Sequence, residues 1–446
     1  MRRLGFPHPI ALLTGCILLG AALSYVLPAG QYERREDPVT GRSVVVPETY
    51  HVVESTPVGF FDALVAIPRG MADRADVMFL IGGAFSVVDE TGALRSGVAW
   101  LVARLRTREV LVIPVVSLAF ATGGVIANMQ EEIIALIPTL LILTSRLGFV
   151  PLTAVSMSAG AAMVGSAFSP INPFQVGIAQ NLAEVPLFFG GLFRLASLVL
   201  ALALWIFATM RHARRTRTAS EVTGSQDRED GAIEGSHAAI LALVLLTFGV
   251  MVYGIMKLGW DFDQMSALFF MMGVVAGLVG GLRLKGTAEA YVRGFQSMAY
   301  AALLVGFAGG IFVVLDEGRI VDTIVHGLFT PLEGLPVAFA TVGMMASHAL
   351  VHLPVPSVSG QAVLTMPILV PLSDLLGLSR QITVLAYQFG AGLCDMVTPT
   401  NGALLAVLAA GGVEYQAWLK FALKWYLALM VLGAGITFVA IAIGLQ

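Results

Sequence analysis

The chain has 446 residues, 57% of them hydrophobic and 12% charged, with a formal net charge of −3. Soluble domains carry roughly 25% charged residues, so this composition excludes an ordinary soluble domain and indicates an integral membrane protein. The slight acidity argues against a nucleic-acid partner, and the two cysteines, Cys16 and Cys394, both in apolar segments, give no disulfide framework or thiolate metal site.

The first apolar run, about Pro9 to Leu27, is long for a signal peptide and is followed by no clean small-residue cleavage site, so a retained helix is predicted. Arg2 and Arg3 hold the N-terminus in the cytoplasm by the positive-inside rule. The polar stretch Gly30 to Pro57 reads as an external excursion with extended structure. A span near Val77 to Val88 returns to a basic segment carrying Arg95, Arg104, Arg106 and Arg108, within which Val98 to Arg106 has an amphipathic, interfacial pattern.

Two apolar arms follow, Val110 to Ala127 and Ile133 to Leu147, joined by Asn128-Met129-Gln130-Glu131-Glu132. A re-entrant hairpin opening to the cytoplasm keeps Arg146 beside the preceding arginines and sets the acidic turn near mid-membrane. Irregular backbone at that depth requires burial in protein or a water-lined cavity. The segment Pro151 to Ala183 is interrupted by Ser169-Pro170-Ile171-Asn172-Pro173 and crosses outward. Phe188 to Met210 then returns to Arg211, Arg214, Arg215 and Arg217, and Thr216 to Ser236 is a polar, flexible linker.

The second half repeats the plan upside down after one extra span, Ala238 to Ile255. Asp263 to Leu282 returns to Arg283, Lys285 and Arg293, and Met298 to Val314 exits. A second hairpin is predicted over Val337 to Leu376, its tip near Ser357-Val358-Ser359-Gly360-Gln361. The broken segment Arg380 to Ala410 contains Thr398-Pro399-Thr400-Asn401-Gly402, and Trp418 to Ile443 closes the chain. Residues 1–210 thus form a first transmembrane repeat with external segment 30–57, residues 211–237 a cytoplasmic linker, and residues 238–446 a second, inverted repeat.

At one fixed offset the two broken units match without a gap. Pro138 falls on Pro367, Gly148 on Gly377, Pro170 on Pro399 and Asn172 on Asn401. Gly82 to Glu90 likewise matches Gly309 to Glu317, and Arg69-Gly70 is a candidate match for Arg293-Gly294. Interrupted hydrophobic segments at corresponding places in two halves point to a transporter binding site. Each break exposes a carbonyl end, which favours a cation, and an amide end, which favours a carboxylate.

The candidate substrate or ion ligands are the tip residues and the breaks. They are Asn128, Gln130, Glu131 and Glu132 against Ser169 and Asn172, and Ser357, Ser359 and Gln361 against Asp395, Thr398, Thr400 and Asn401. Each tip is expected to face its own broken helix. Ser169, Asn172, Thr398 and Asn401 offer oxygens to a coupling sodium ion; a coupling proton is the alternative, and no resident cofactor is expected. An unpaired acid at mid-membrane costs on the order of 3 kcal/mol, so Glu131 and Glu132 either meet a cationic group or a proton, or simply complement a helix N-terminus. His348 and His352, one turn apart, read as packing or pore lining. No zinc-protease, phosphate-loop or nucleophile-elbow pattern is present, so an enzyme is not expected.

The string from Asn128 to Leu147, the segments GSAFSPINPFQVGIAQ and CDMVTPTNGALLAVL, and the early LPAGQYERR and VVPETY together resemble the YfcC/DcuC group of the ion transporter superfamily. The resemblance covers nearly the whole chain outside Thr216–Ser236. It implies inverted repeats, re-entrant hairpins facing unwound helices, and a homodimer that moves substrate by an elevator motion. Members of the group carry dicarboxylates or exchange basic amino acids. The first tip, Asn-Met-Gln-Glu-Glu, departs from the Ser-Asn-Thr tips of related sodium-coupled dicarboxylate carriers.

The resulting expectation is an all-α polytopic protein of the bacterial inner membrane with two hairpins, two broken helices and about 9–11 transmembrane helices. It is a secondary transporter for small carboxylate-bearing solutes, foremost amino acids of the arginine or ornithine type. Asn172 and Asn401 would hold the carboxylate, and Glu131 or Glu132 the amino or guanidinium group. A C4-dicarboxylate carrier coupled to sodium or protons is the alternative, and an ion channel the rival of another class.

Overall fold

The computed structural model describes residues 8–36, 43–46, 48–72, 75–104, 109–186, 189–217, 235–258, 260, 262–332 and 334–445. Arg2, Arg3, Arg106, Arg108 and linker residues 218–234 lie outside them. Runs of Leu, Ala, Val and Met form helices because a helix satisfies its backbone internally, the requirement an apolar solvent imposes.

Helix α1 (Pro9–Leu23) leads to four short strands, β1 (Gly30–Gln31), β2 (Arg34–Glu36), β3 (Ser43–Val45) and β4 (His51–Val52). They pair antiparallel, β1 with β4 and β2 with β3, so the polar stretch is extended, as its Val and Thr content predicts. Helices α2 (Phe60–Ala72), α3 (Ala75–Glu90) and α4 (Ala93–Arg104) precede the arms α5 (Val112–Ala127) and α6 (Glu131–Arg146). The first broken segment comprises α7 (Pro151–Val155), a π-helical turn Ser156–Gly160, α8 (Ala161–Ala167), and, beyond the break, a second π-helical turn Pro173–Gly177 and α9 (Ile178–Leu182). Helix α10 (Gly191–Thr216) ends the half.

The second half contains α11 (Gly235–Leu258), α12 (Phe262–Val279), α13 (Arg283–Glu317), α14 (Val321–Phe329), and the arms α15 (Val337–Val351) and α16 (Val358–Leu375). Its broken segment is α17 (Arg380–Gly392), a 3₁₀ turn Leu393–Met396, and α18 (Gly402–Ala410); α19 (Tyr415–Ala442) is last. Among the described residues α10, α13, α16 and α19 are long and apolar enough to cross a membrane.

Three element boundaries differ from expectation. Glu131 and Glu132 form the first turn of α6 rather than the connection, as do Ser359 and Gln361 at the start of α16. A helix N-terminus leaves donors free, so acids and Ser are favoured there over an open loop. The basic segment Arg283–Arg293 and the span predicted from Met298 are one helix, α13, because no proline interrupts residues 283–317.

Corresponding elements of the halves make corresponding contacts. Helix α5 packs on α8 as α15 packs on α17, and α10 contacts α8 as α19 contacts α17. The second arms cross over: α6 packs on α18, and α16 on α9. Buried indoles tie the last helix of each half to its broken segment, Trp205 Nε1 donating to the Ser156 carbonyl at 2.9 Å and Trp418 Nε1 to the Met396 carbonyl at 2.7 Å.

Helix α13 lies along both α2 and α3. Here Gly70 abuts the backbone of Gly306, Gly309 and Gly310, while Gly294 abuts Gly83 and Ser86. Arg69 pairs with Glu317, and Arg293 pairs with Glu90 at 2.6 Å. The Asp-Glu ends and Arg-Gly dipeptides that match in sequence therefore bind one another reciprocally across the halves.

Candidate functional site

A cavity of about 620 Å³ lies where the α5–α6 and α15–α16 connections meet the second break. That volume falls within the roughly 300–1,000 Å³ of small-molecule sites. Of the residues singled out from sequence, Asn128, Gln130, Glu131, Glu132, Ser357, Ser359, Asp395 and Asn401 line it. Ser169, Asn172, Gln361, Thr398 and Thr400 do not, and each is buried in the surrounding wall.

The first break is closed on itself. Ser169 Oγ donates to the Val125 carbonyl at 2.7 Å and accepts from the amides of Ile171 and Asn172. Asn172 Nδ2 donates to the Gly124 carbonyl at 2.9 Å, and its Oδ1 accepts the amides of Phe174 and Gln175. The predicted carboxylate donor at Asn172 is thus already engaged, because the residue serves as a cap where the helix resumes. Asn128, in left-handed conformation at φ 53°, ends α5 and accepts a hydrogen bond from Ser166. Gln388 Nε2 donates to the Ser169 carbonyl at 2.7 Å, and Arg194 bonds the side-chain oxygens of Gln388 and Gln381.

The second break opens on the cavity and is built around Asp395. Gln130 Nε2 donates to Asp395 Oδ2 at 2.6 Å, and Asn401 Nδ2 to Asp395 Oδ1 at 2.7 Å. His352 Nε2 lies 2.9 Å from the same Oδ1. Asn401 Oδ1 caps α18 by accepting the Leu404 amide at 2.9 Å. Thr400 Oγ1 donates to the Leu353 carbonyl at 2.7 Å. The first tip therefore reaches the second break through Gln130, instead of facing only its own as expected. The cause is the crossing of α6 onto α18, which carries the α6 N-terminus to Asn401.

Gln361 is buried away from the cavity between the two histidines. Its Nε2 donates to the His348 carbonyl at 2.8 Å, and its Oε1 lies 3.1 Å from His352 Nδ1. Ser357 Oγ accepts the Gly360 amide and caps α16. Glu132 is 4% exposed, and its Oε2 has no hydrogen-bond partner among the described residues.

Among the described residues the cavity wall holds Glu131, Glu132, Asp316 and Asp395 against one arginine, Arg34. The first residues of α14, α16 and α18 line it as well, beside Glu131 and Glu132 at the start of α6, so several helix N-termini open onto it. The site can therefore attract a cation with its acids and a carboxylate with its N-termini.

Sequence reasoning missed three contributors. Arg34 is set in the wall because the β2–β3 ribbon is anchored to α14, where Asp322 accepts from Arg34 at 2.9 Å and from the Tyr32 amide at 3.0 Å. His352, read as packing, contacts Asp395 directly. Arg194 and the glutamines around it were visible as polar residues within apolar runs, the signal that marks intramembrane function or structure.

The chain matches the C4-dicarboxylate anaerobic carrier family over residues 6–442. It is 30% identical to the "Putative basic amino acid antiporter YfcC" of Escherichia coli K12 across 94% of this chain and 93% of that protein. An uncharacterized protein of Haemophilus influenzae is 27% identical across 96% of both chains. The solved YdaH transporter of Alcanivorax borkumensis aligns over 98% of this chain and 99% of that one, with 18% identity and a TM-score of 0.49.

Proposed function

The chain belongs to the C4-dicarboxylate anaerobic carrier family, and from that premise we propose that it is a secondary active transporter of small carboxylate-bearing amino acids with a second, basic group. The observation that carries this reading is the composition of the cavity wall: Glu131 and Glu132 on α6 stand in one cavity with the N-termini of α16 and α18. A solute of the arginine or ornithine type presents a carboxylate and a cation separated by a short apolar stem, matching these two kinds of wall. The relative named as a basic amino acid antiporter agrees with it.

The reciprocal pairs Arg69–Glu317 and Arg293–Glu90, with the crossed contacts α6–α18 and α16–α9, support two inverted repeats. On that plan the α5–α6 and α15–α16 arms are re-entrant hairpins in the inner membrane, with the N-terminus in the cytoplasm. Alternating access then moves the broken helices and hairpins as an elevator within a homodimer.

One observation favours a second reading. Arg34 faces the cavity, and a guanidinium binds carboxylates well, so a C4-dicarboxylate coupled to sodium or protons is the alternative substrate, in keeping with the family's name. Uptake of labelled arginine, ornithine and succinate into proteoliposomes tests both. Transport of the basic amino acids is expected; movement of succinate alone would select the alternative, and single-channel current would overturn the carrier reading.

A further inference from the structure

The hydrogen bonds around His352 fix a proton count. The His348 main-chain carbonyl can only accept, and Gln361 Nε2 donates to it at 2.8 Å. That bond sets the orientation of the Gln361 amide, so its Oε1 is the atom facing His352 Nδ1 at 3.1 Å. An oxygen acceptor there requires a hydrogen on Nδ1.

On the other side of the ring, Nε2 lies 2.9 Å from Asp395 Oδ1. A neutral ring protonated at Nδ1 has a bare lone pair at Nε2, and an ionised Asp395 has only lone pairs to offer it. The contact therefore holds one further proton, either as carboxylate with imidazolium or as carboxyl with imidazole. Gln130 and Asn401 supply Asp395 with N–H donors, not with oxygens free to bind a metal cation. His352 is fully buried, and Asp395, 3% exposed, meets the cavity at its edge.

We infer that Asp395 and His352 together bind the coupling proton of the transport cycle. The proposal rests on the transporter reading above and adds the ion and its seat. When the proton leaves for cavity water, the pair passes from zero net charge to −1, and two lone pairs face each other at the contact. Repulsion then separates the end of α15 from the turn Leu393–Met396. Proton release is thereby tied to movement of the second hairpin relative to the second broken helix.

Among the described residues the other titratable or charged groups around the pair are Glu131, Glu132, Asp316 and Arg34 on the cavity wall, His348 from α15, Cys394 beside Asp395, Tyr387 from α17, Asp322 and His326 from α14, and Tyr415 and Tyr426 from α19. Helix α8, packed on the same turn, brings no charged group.

The test uses the full-length protein in sodium-free proteoliposomes with a pH-sensitive dye inside. A proton gradient is expected to drive accumulation of labelled substrate in wild type. His352→Gln, shown folded by its thermal unfolding in detergent, is expected to lose that accumulation and the accompanying pH change. Accumulation driven by sodium and indifferent to the proton gradient would overturn the proposal, as would proton flux that persists in His352→Gln and vanishes in Glu132→Gln. If none of arginine, ornithine or succinate moves, the transport reading fails, and ¹⁵N NMR of labelled histidine decides the site alone. The His352 Nε2 signal, assigned by its loss in His352→Gln, is expected to move with pH as the contact with Asp395 gains and loses its shared proton, while Nδ1 stays protonated; an Nε2 signal indifferent to pH in wild type and in Asp395→Asn alike, or a bare Nδ1, would overturn it.

Discussion

Gln130 donates to Asp395 at 2.6 Å although 265 residues separate them in the chain. The first tip and the second break are thus one polar unit, to which Asn401 and His352 also belong. A buried carboxyl group so surrounded depends on every donor it has, because a lost partner leaves polar atoms unsatisfied in a medium that cannot replace them.

Gln130→Leu is expected to reduce transport severely and to destabilise the protein by about 1.5–3 kcal/mol, the scale of a hydrogen bond to a charged group. A double-mutant cycle with Asp395→Asn, read by thermal unfolding in detergent, should show strong coupling. Additive losses would mean that the 2.6 Å contact contributes nothing of its own.

Glu132 has an oxygen without a partner and a place on the cavity wall. Glu132→Gln preserves size and removes the charge. It is expected to weaken uptake of arginine and ornithine by on the order of tenfold, a difference of about 1.4 kcal/mol, and to affect neutral amino acids less. Equal loss for both classes in a competition assay would assign Glu132 to structure alone.

The breaks and the arms were legible because proline and asparagine within apolar runs leave little choice of backbone. The match of Asn172 with Asn401 also extended to chemistry, since both cap a resuming helix through Oδ1. Which tip meets which break was not legible. It depends on the crossing of α6 and α16 between halves, a tertiary contact that leaves no local pattern in the residues. The same holds for Arg34, brought to the cavity by a ribbon whose anchor, Asp322, lies 288 residues away.

Close backbone approach between the halves has a sharp test at Gly70. A Cβ there would stand 2.2 Å from the Gly310 amide nitrogen and 2.6 Å from the Gly306 carbonyl oxygen. Backbone atoms of a packed helix cannot swing aside, so Gly70→Ala must part α2 from α13. A loss of about 1–3 kcal/mol is expected, measured by thermal unfolding. Gly15→Ala, where nothing lies within 4 Å, should be nearly neutral. Similar behaviour of the two variants would contradict the packing of α2 on α13.

Arg194 is 1% exposed, and its partners among the described residues are glutamine oxygens. Its guanidinium serves Gln388 Oε1 and Gln381 Oε1, and Gln388 in turn holds the Ser169 carbonyl at the first break. One fixed cation thus braces the break that does not open on the cavity. Arg194→Met fills similar space but strands Gln388 Oε1 and leaves Gln381 Oε1 only Gln180 Nε2 at 3.4 Å, at an expected cost of about 1–3 kcal/mol. Arg194→Met with Gln388→Met removes the stranded Gln388 oxygen but also the donor that Gln388 Nε2 gives the Ser169 carbonyl, so no recovery is expected. Substrate preference should stay constant in both variants, since neither residue lines the cavity. A change in the ratio of arginine to succinate uptake would show that the first break also takes part in selecting the solute.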